Sequence, residues 1–179
     1  MTQPLLIATL DSDMAPVTED GIIVCPDAAE RWARAAEQLA RADIAEFRCA
    51  EQLTQRGYSC TVLGGRFKGF DIIADREDIR PQHVQVKHGF LLADNRYIIV
   101  NRRGDGQVYS PTAYDILVYY MWDRDQWLVY GRAEFGDMSG ISYMPPDLRK
   151  NVRYRRSGPA DRDPNNWELF DQLAAPNPQ

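Results

Sequence analysis

Two spacings divide this chain. Between residues 27 and 57 apolar positions recur every three or four residues, as on one face of a helix. From residue 59 onward they come as short runs and alternations, the pattern of strands. Trp32, Ala35, Ala36 and Leu39 make one helical stripe. Pro26-Asp27 opens it, with Asp27 and Glu30 at capping-box spacing, and this helix is expected to end near Ala42. A second helical pattern begins at Asp43 and carries Ile44, Phe47, Ala50, Glu51 and Leu53, with Gly57 where a C′ glycine belongs. The residues leave open whether these are one bent helix or two. Upstream, residues 5–10 and 22–25 each fit a short strand.

After Gly57-Tyr58 the strand-like runs are residues 59–63, 71–74, 84–87 and 97–101. A basic, glycine-containing turn (residues 64–69) precedes the second, and a polar, Pro-containing turn joins the second to the third. Residues 102–113 read as loop, and residues 116–122 and 127–131 flank a polar turn as a hairpin. Residues 159–179 read as a Pro-rich tail in which Trp167, Leu169 and Phe170 dock back on the body. The expected domains are an extension over 1–26, one domain over 27–158 and the tail over 159–179. The order predicts an α/β (α+β) domain with the residue 43–56 helix packed on one face of a small sheet.

Composition changes this picture little. An apolar share of 44% suits a packed globule, and a net charge of −5 gives no general basic signal for nucleic acid. The distribution says more: the acidity lies at the two ends, and the middle of the chain is mildly basic. Three cysteines without a pairable spacing exclude a disulfide scaffold, and reduced thiols suit a cytoplasmic protein. Cys49 and Cys60 are expected to be buried hydrophobes. The run at residues 5–10 is too short to span a bilayer, so no membrane partner is expected. Two histidines and no CxxC spacing argue against a zinc site.

The candidate chemistry sits at residues 71–87. Asp71 heads one apolar run. In the next, Gln85 and Lys87 share one strand face while Val84 and Val86 take the other. Each residue has an ordinary alternative. Glu46 with Asp43 fits a capping box, Asp71 fits a turn, and Gln85 with Lys87 fits the solvated face of an edge strand.

Taken together the residues resemble the PD-(D/E)XK nuclease superfamily, most closely its small bacterial endonuclease-like members with a Q-V-K final motif and a Holliday-junction-resolvase-like core. The resemblance rests on Glu46 in an Ala-containing helix that ends Arg56-Gly57-Tyr58, on Asp71, and on Gln85-Val86-Lys87, over roughly residues 43–89. Gln stands where many members have Glu or Asp, and Phe70 where many have Pro. The resemblance implies a restriction-endonuclease-like core, a central mixed sheet flanked by helices in αβββ-first order.

It also implies an Mg²⁺-dependent DNA endonuclease, with Mn²⁺ a possible substitute. Asp71, Gln85 and the Val86 carbonyl would be metal ligands, with Glu46 reaching the metal through water. Lys87 would stabilise developing negative charge on the phosphate or help deprotonate the attacking water. The departure at Gln85 leaves the site one carboxylate poorer. DNA would meet Arg66, Lys68, Arg102, Arg103, Arg149, Lys150, Arg153, Arg155 and Arg156, largely through phosphates. Tyr154, among these arginines, is a candidate to stack on a base. A homodimer, or a protein partner supplying target recognition, is expected of a chain with no separate recognition domain. The competing expectation is an inactive nuclease fold that binds nucleic acid or protein.

Overall fold

The sheet at the centre of the fold follows from where the strands alternate and where they do not. The structure, a computed structural model, is described for residues 17–19, 22–24, 26–64, 69–77, 79–104, 106–149 and 162–175. The chain forms two units, residues 1–39 and 40–179.

In the first unit, β1 (Val17–Glu19) and β2 (Ile22–Val24) pair antiparallel, with Val17 opposite Val24. The expected strand at residues 5–10 lies outside the described residues. Helix α1 (Pro26–Thr54) then runs unbroken for 29 residues, so the expected break near Ala42 is corrected. No glycine or proline lies between residues 27 and 54, and nothing else there stops a helix. Proline opens the helix because its missing N–H costs nothing in the first turn; Asp27 falls inside the helix and is not its N-cap. The Trp32–Leu39 stripe stays on the surface, with Trp32 78% and Leu39 68% exposed.

In the second unit five strands form one mixed sheet in the order β3-β4-β5-β7-β8. They are β3 (Ser59–Val62), β4 (Ile72–Arg76), β5 (Ile79–Gly89), β7 (Ile116–Met121) and β8 (Gln126–Gly131). Only β5 and β7 pair in parallel, and the other pairs are antiparallel. A separate ribbon pairs β6 (Tyr97–Val100) with β9 (Gly140–Tyr143). The expected turn between β4 and β5 is shorter than its composition suggests, for Pro81 lies inside β5. The register slips between Ala74 and Arg76 of β4, opposite Pro81, and such an irregularity tolerates a residue without an N–H.

Two apolar layers sandwich this sheet. On one side Ala45, Cys49 and Leu53 of α1 pack with Ile72, Val84, Val86, Ile116, Val118 and Tyr120. The buried helix face is therefore set by small and medium residues four apart; Ile44 and Phe47, which the spacing offered as inward, are exposed. On the other side Leu117, Tyr119 and Met121 pack with Tyr97, Ile99, Tyr109, Tyr114, Ile141 and Tyr143. Strand β7 thus buries both faces, as a central strand must. Each fully buried large side chain contributes about 1.5–3 kcal/mol.

The C-terminal segment belongs to this unit's core. Helix α2 (Glu168–Ala174) buries Phe170 and Ala174 beside Trp167. Asn165 and Asn166 accept the Trp127 and Val129 N–H groups through their side chains, at 3.0 and 3.1 Å, and so satisfy donors of edge strand β8. Asp171 accepts the Tyr58 hydroxyl at 2.6 Å and the Arg76 guanidinium at 3.2 Å, which ties α2 to the turn that ends α1. That turn closes with Gly57 at φ +87° and the Tyr58 N–H donating to the Leu53 carbonyl at 3.1 Å, as its glycine predicts. Among the described residues no helix is long and apolar enough to cross a membrane.

Candidate active site

Strands β4 and β5 part company at Asp71. The Asp71 N–H still donates to the Val84 carbonyl at 2.8 Å, and one step on, its carboxylate accepts the Val86 N–H at 2.7 Å. A side chain here takes the ladder position that backbone would fill. Gly69 makes the departure possible: its φ of +132° suits glycine, and a Cβ there would lie 3.2 Å from the Ala113 carbonyl oxygen. Phe70 stacks on His83 at 4.1 Å and holds the approach to Asp71.

Gln85, 3% exposed, fills the opening. Its amide nitrogen donates to Asp71 Oδ2 and, at 3.1 Å, to the Val86 carbonyl. Lys87 follows on the same strand face, half-buried, with its ammonium 3.2 Å from Tyr109 Oη and 5.2 Å from that ring's centre. Glu46 comes from α1 and is buried, one position along from Ala45 on the packed face.

The charges of these three groups act on one another. Burial raises Glu46 to about 7, with the Asp71 and Asp43 carboxylates pushing the same way and Lys87 opposing them. Burial also raises Asp71 to about 6, against the Val86 N–H, Lys87 and Gln85, which all favour its charged form. Lys87 is lowered by burial, and the Asp71 and Glu46 charges resist that shift. Two carboxylates and an ammonium from three separate elements thus share one partly dry site. The ordinary capping and turn roles account for none of this coupling.

The donor set fits a hard divalent cation. Asp71 Oδ2 and the Val86 carbonyl oxygen point at one position, where the positive end of the Gln85 amide now lies, and Glu46 adds a second carboxylate nearby. All of these are oxygen donors. Among the described residues no cluster of three His, Cys, Asp or Glu side chains forms, so a cation here would lean on the carbonyl and amide oxygens and on water.

The neighbours of the site behave as buried structure. Cys49 is fully buried and its thiol is pushed up by burial, which leaves it inert. His88 points to the opposite strand face and accepts the Trp122 indole N–H at 3.1 Å.

The expected DNA surface is described only in part. Arg102 is exposed and bridges by its backbone to Val108; Arg103 donates to the Gln107 side chain; the Arg149 Nε donates to the Met144 carbonyl at 2.8 Å. Arg66, Lys68, Lys150, Arg153, Tyr154, Arg155 and Arg156 lie outside the described residues. Sequence reasoning missed Asn101, Tyr109 and Arg132. Asn101 ends a strand-like run, Tyr109 lies in a stretch that reads as loop and Arg132 follows the hairpin, and no local spacing links them to Lys87.

No family model and no curated protein matches this chain. Among solved structures it is similar to the bacterial homing endonuclease I-Ssp6803I, at a TM-score of 0.61 and 23% identity, over 73% of this chain and 90% of that one. At that identity the likeness is one of fold: an α+β architecture around a central mixed sheet, shared with an endonuclease.

Proposed function

We propose that this protein is a metal-dependent DNA endonuclease with a site of the PD-(D/E)XK type. One observation carries the reading: at the opening between β4 and β5 the Asp71 carboxylate, held by the Val86 N–H at 2.7 Å, and the Val86 carbonyl both accept the Gln85 amide, with buried Glu46 and half-buried Lys87 within electrostatic reach. The fold shared with a homing endonuclease supports it.

Asp71, the Val86 carbonyl and the Gln85 side-chain oxygen would hold Mg²⁺ or Mn²⁺ after the Gln85 amide turns over, and Glu46 would reach it through water. The bound ion would act as a Lewis acid toward the phosphate and acidify a bound water. Glu46, raised to about 7, is matched to accept a proton from the attacking water near neutral pH. Lys87 sets its ammonium against the negative charge that grows on the phosphate oxygens. Burial strengthens that interaction, since less water screens it.

DNA is the proposed substrate, held along the backbone by the basic groups of the middle of the chain. The proposed cleavage is selective for structure or of low sequence specificity, by a homodimer or together with a recognition partner. The test is cleavage of supercoiled plasmid, single strands and four-way junctions with Mg²⁺ or Mn²⁺. The reading expects metal-dependent products from the wild type and cleavage about 100-fold slower or more from Asp71→Ala and Lys87→Ala. Identical behaviour of all three proteins, or none with metal, would overturn it.

One observation favours a second reading, an inactive fold that binds nucleic acid. The Gln85 amide donates to Asp71 and to the Val86 carbonyl, the two oxygens a cation would need. Tight, metal-independent DNA binding with no cleavage of any of these substrates would favour it.

A further inference from the structure

Tyr109 is fixed more firmly than a loop residue needs to be. Its N–H donates to the Asn101 carbonyl at 3.3 Å, and its carbonyl accepts the Arg132 Nη2 at 2.7 Å. Arg132, itself 6% exposed, also donates to the Ser110 carbonyl at 3.2 Å and the Gly136 carbonyl at 2.9 Å. A buried guanidinium is thereby committed to holding the backbone on both sides of the Tyr109–Ser110 peptide. The Tyr109 ring packs edge-on against Tyr114 at 5.4 Å, and the Tyr114 hydroxyl donates to Asn101 Oδ1 at 2.6 Å. Asn101, fully buried, is held in turn by the Met138 carbonyl, which accepts its amide at 2.9 Å. Asn101, Tyr114 and Arg132 thus hold one phenol, and what it meets is the Lys87 ammonium at 3.2 Å.

A lysine side chain carries about 2 kcal/mol of rotamer freedom, which works against a fixed placement of its charge. The phenol oxygen accepts one of the three ammonium protons and leaves the others for phosphate oxygens. The ring beneath, 5.2 Å from the nitrogen, further limits where the charge rests.

We propose that Tyr109 is the positioning residue for Lys87: its hydroxyl fixes where the ammonium rests beside the Asp71–Gln85 opening, and Arg132 and Asn101 hold Tyr109 in place. This role rests on the nuclease reading. It assigns a task in the reaction to the segment around Tyr109, and it separates placement of the charge from possession of it.

The test is Tyr109→Phe, which keeps the ring and removes the hydroxyl. The role predicts a kcat about tenfold lower, with KM, DNA affinity and Tm close to wild type, because only alignment in the transition state is lost. Under single turnover with enzyme in excess, adding Tyr109→Phe to Lys87→Gln should cost less than about twofold more, since the hydroxyl then has no ammonium to hold. A kcat for Tyr109→Phe within about twofold of wild type, a loss matched by a fall in Tm, or an undiminished tenfold loss in the Lys87→Gln background would each overturn the role. Wild-type protein that cleaves while Tyr109→Phe cleaves equally well removes this role alone. Wild-type protein that never cleaves removes the nuclease reading, and this role with it.

Discussion

The Asp71 carboxylate accepts the Val86 N–H at 2.7 Å, in the ladder position that β4 vacates as it turns away from β5. The same carboxylate is thus a structural acceptor and, in the proposed function, a metal ligand. The two roles separate by substitution. Asp71→Asn keeps an acceptor for Val86 and loses the charge. Asp71→Ala loses both and leaves a buried N–H unpaired, a cost of about 1–3 kcal/mol. Both variants should lose cleavage by about 100-fold or more. Thermal unfolding should rank Asp71→Ala below Asp71→Asn, and equal Tm values would show that the Val86 bond contributes nothing.

Glu46 makes stability depend on pH. Its folded pKa of about 7 lies above the ordinary 4.5, so between those values the folded state binds more protons than the unfolded state. Stability linked to this group is therefore full in acid and falls as pH rises toward 7. A pKa change of one is worth about 1.4 kcal/mol, and water reaching the site together with local relaxation reduces the total to about 1–2 kcal/mol. Glu46→Gln removes the penalty. Its Tm should exceed wild type by about 3–6 °C at pH 8, and the difference should vanish below the ordinary value of 4.5. A Tm gain independent of pH would contradict the assignment.

Metal binding should follow the same protons. Asp71 and Glu46 are raised to about 6 and about 7, so both must lose protons before they hold a cation. Titration calorimetry with Mn²⁺ should show affinity rising from pH 5.5 to 8, with proton release at the acid end. Gln85→Glu adds a carboxylate beside Asp71, and should bind Mn²⁺ about tenfold more tightly while lowering the metal-free Tm at pH 8 through like-charge repulsion. Unchanged affinity would remove Gln85 from the metal's surroundings.

The candidate site was easier to propose from the sequence than the face that supports it. Asp71, Gln85 and Lys87 drew notice because strand alternation is local, and the structure pairs Ile72 with Val84, which sets Asp71 beside Gln85 and Val86. Glu46 could be reached only through the family resemblance, since its helix spacing alone offers a cap. The inward helix face was misread because Ile44 and Phe47 are the larger apolar residues, whereas close approach to the sheet favours Ala45, Cys49 and Leu53. The break expected near Ala42 rested on the capping spacing at Asp43, which also occurs on an exposed helix surface; the absence of glycine and proline from residues 27–54 was the stronger local signal. Tyr109 and Arg132 meet through bonds spanning more than twenty residues, beyond any local pattern.

The C-terminal helix is the fold's least legible element, and it yields to a direct check. Phe170 is fully buried against Tyr58 at 5.1 Å and beside Trp167. Phe170→Ala should cost about 3–5 kcal/mol through the lost burial and the cavity left behind. That predicts a Tm lower by roughly 6–20 °C. A Tm within experimental scatter of wild type would mean that α2 is an appendage and not part of the core.

The central claim is that Glu46, Asp71 and Lys87 form one catalytic, metal-dependent site. The initial rate of plasmid cleavage against Mg²⁺ concentration, measured side by side for wild type, Glu46→Gln, Asp71→Asn and Lys87→Ala, tests it most directly. The account predicts a saturable Mg²⁺ dependence for the wild type, loss of cleavage by about 100-fold or more in the Asp71 and Lys87 variants, and retained DNA binding in all four. Cleavage by the wild type that needs no divalent metal, or that survives Asp71→Asn, would contradict it.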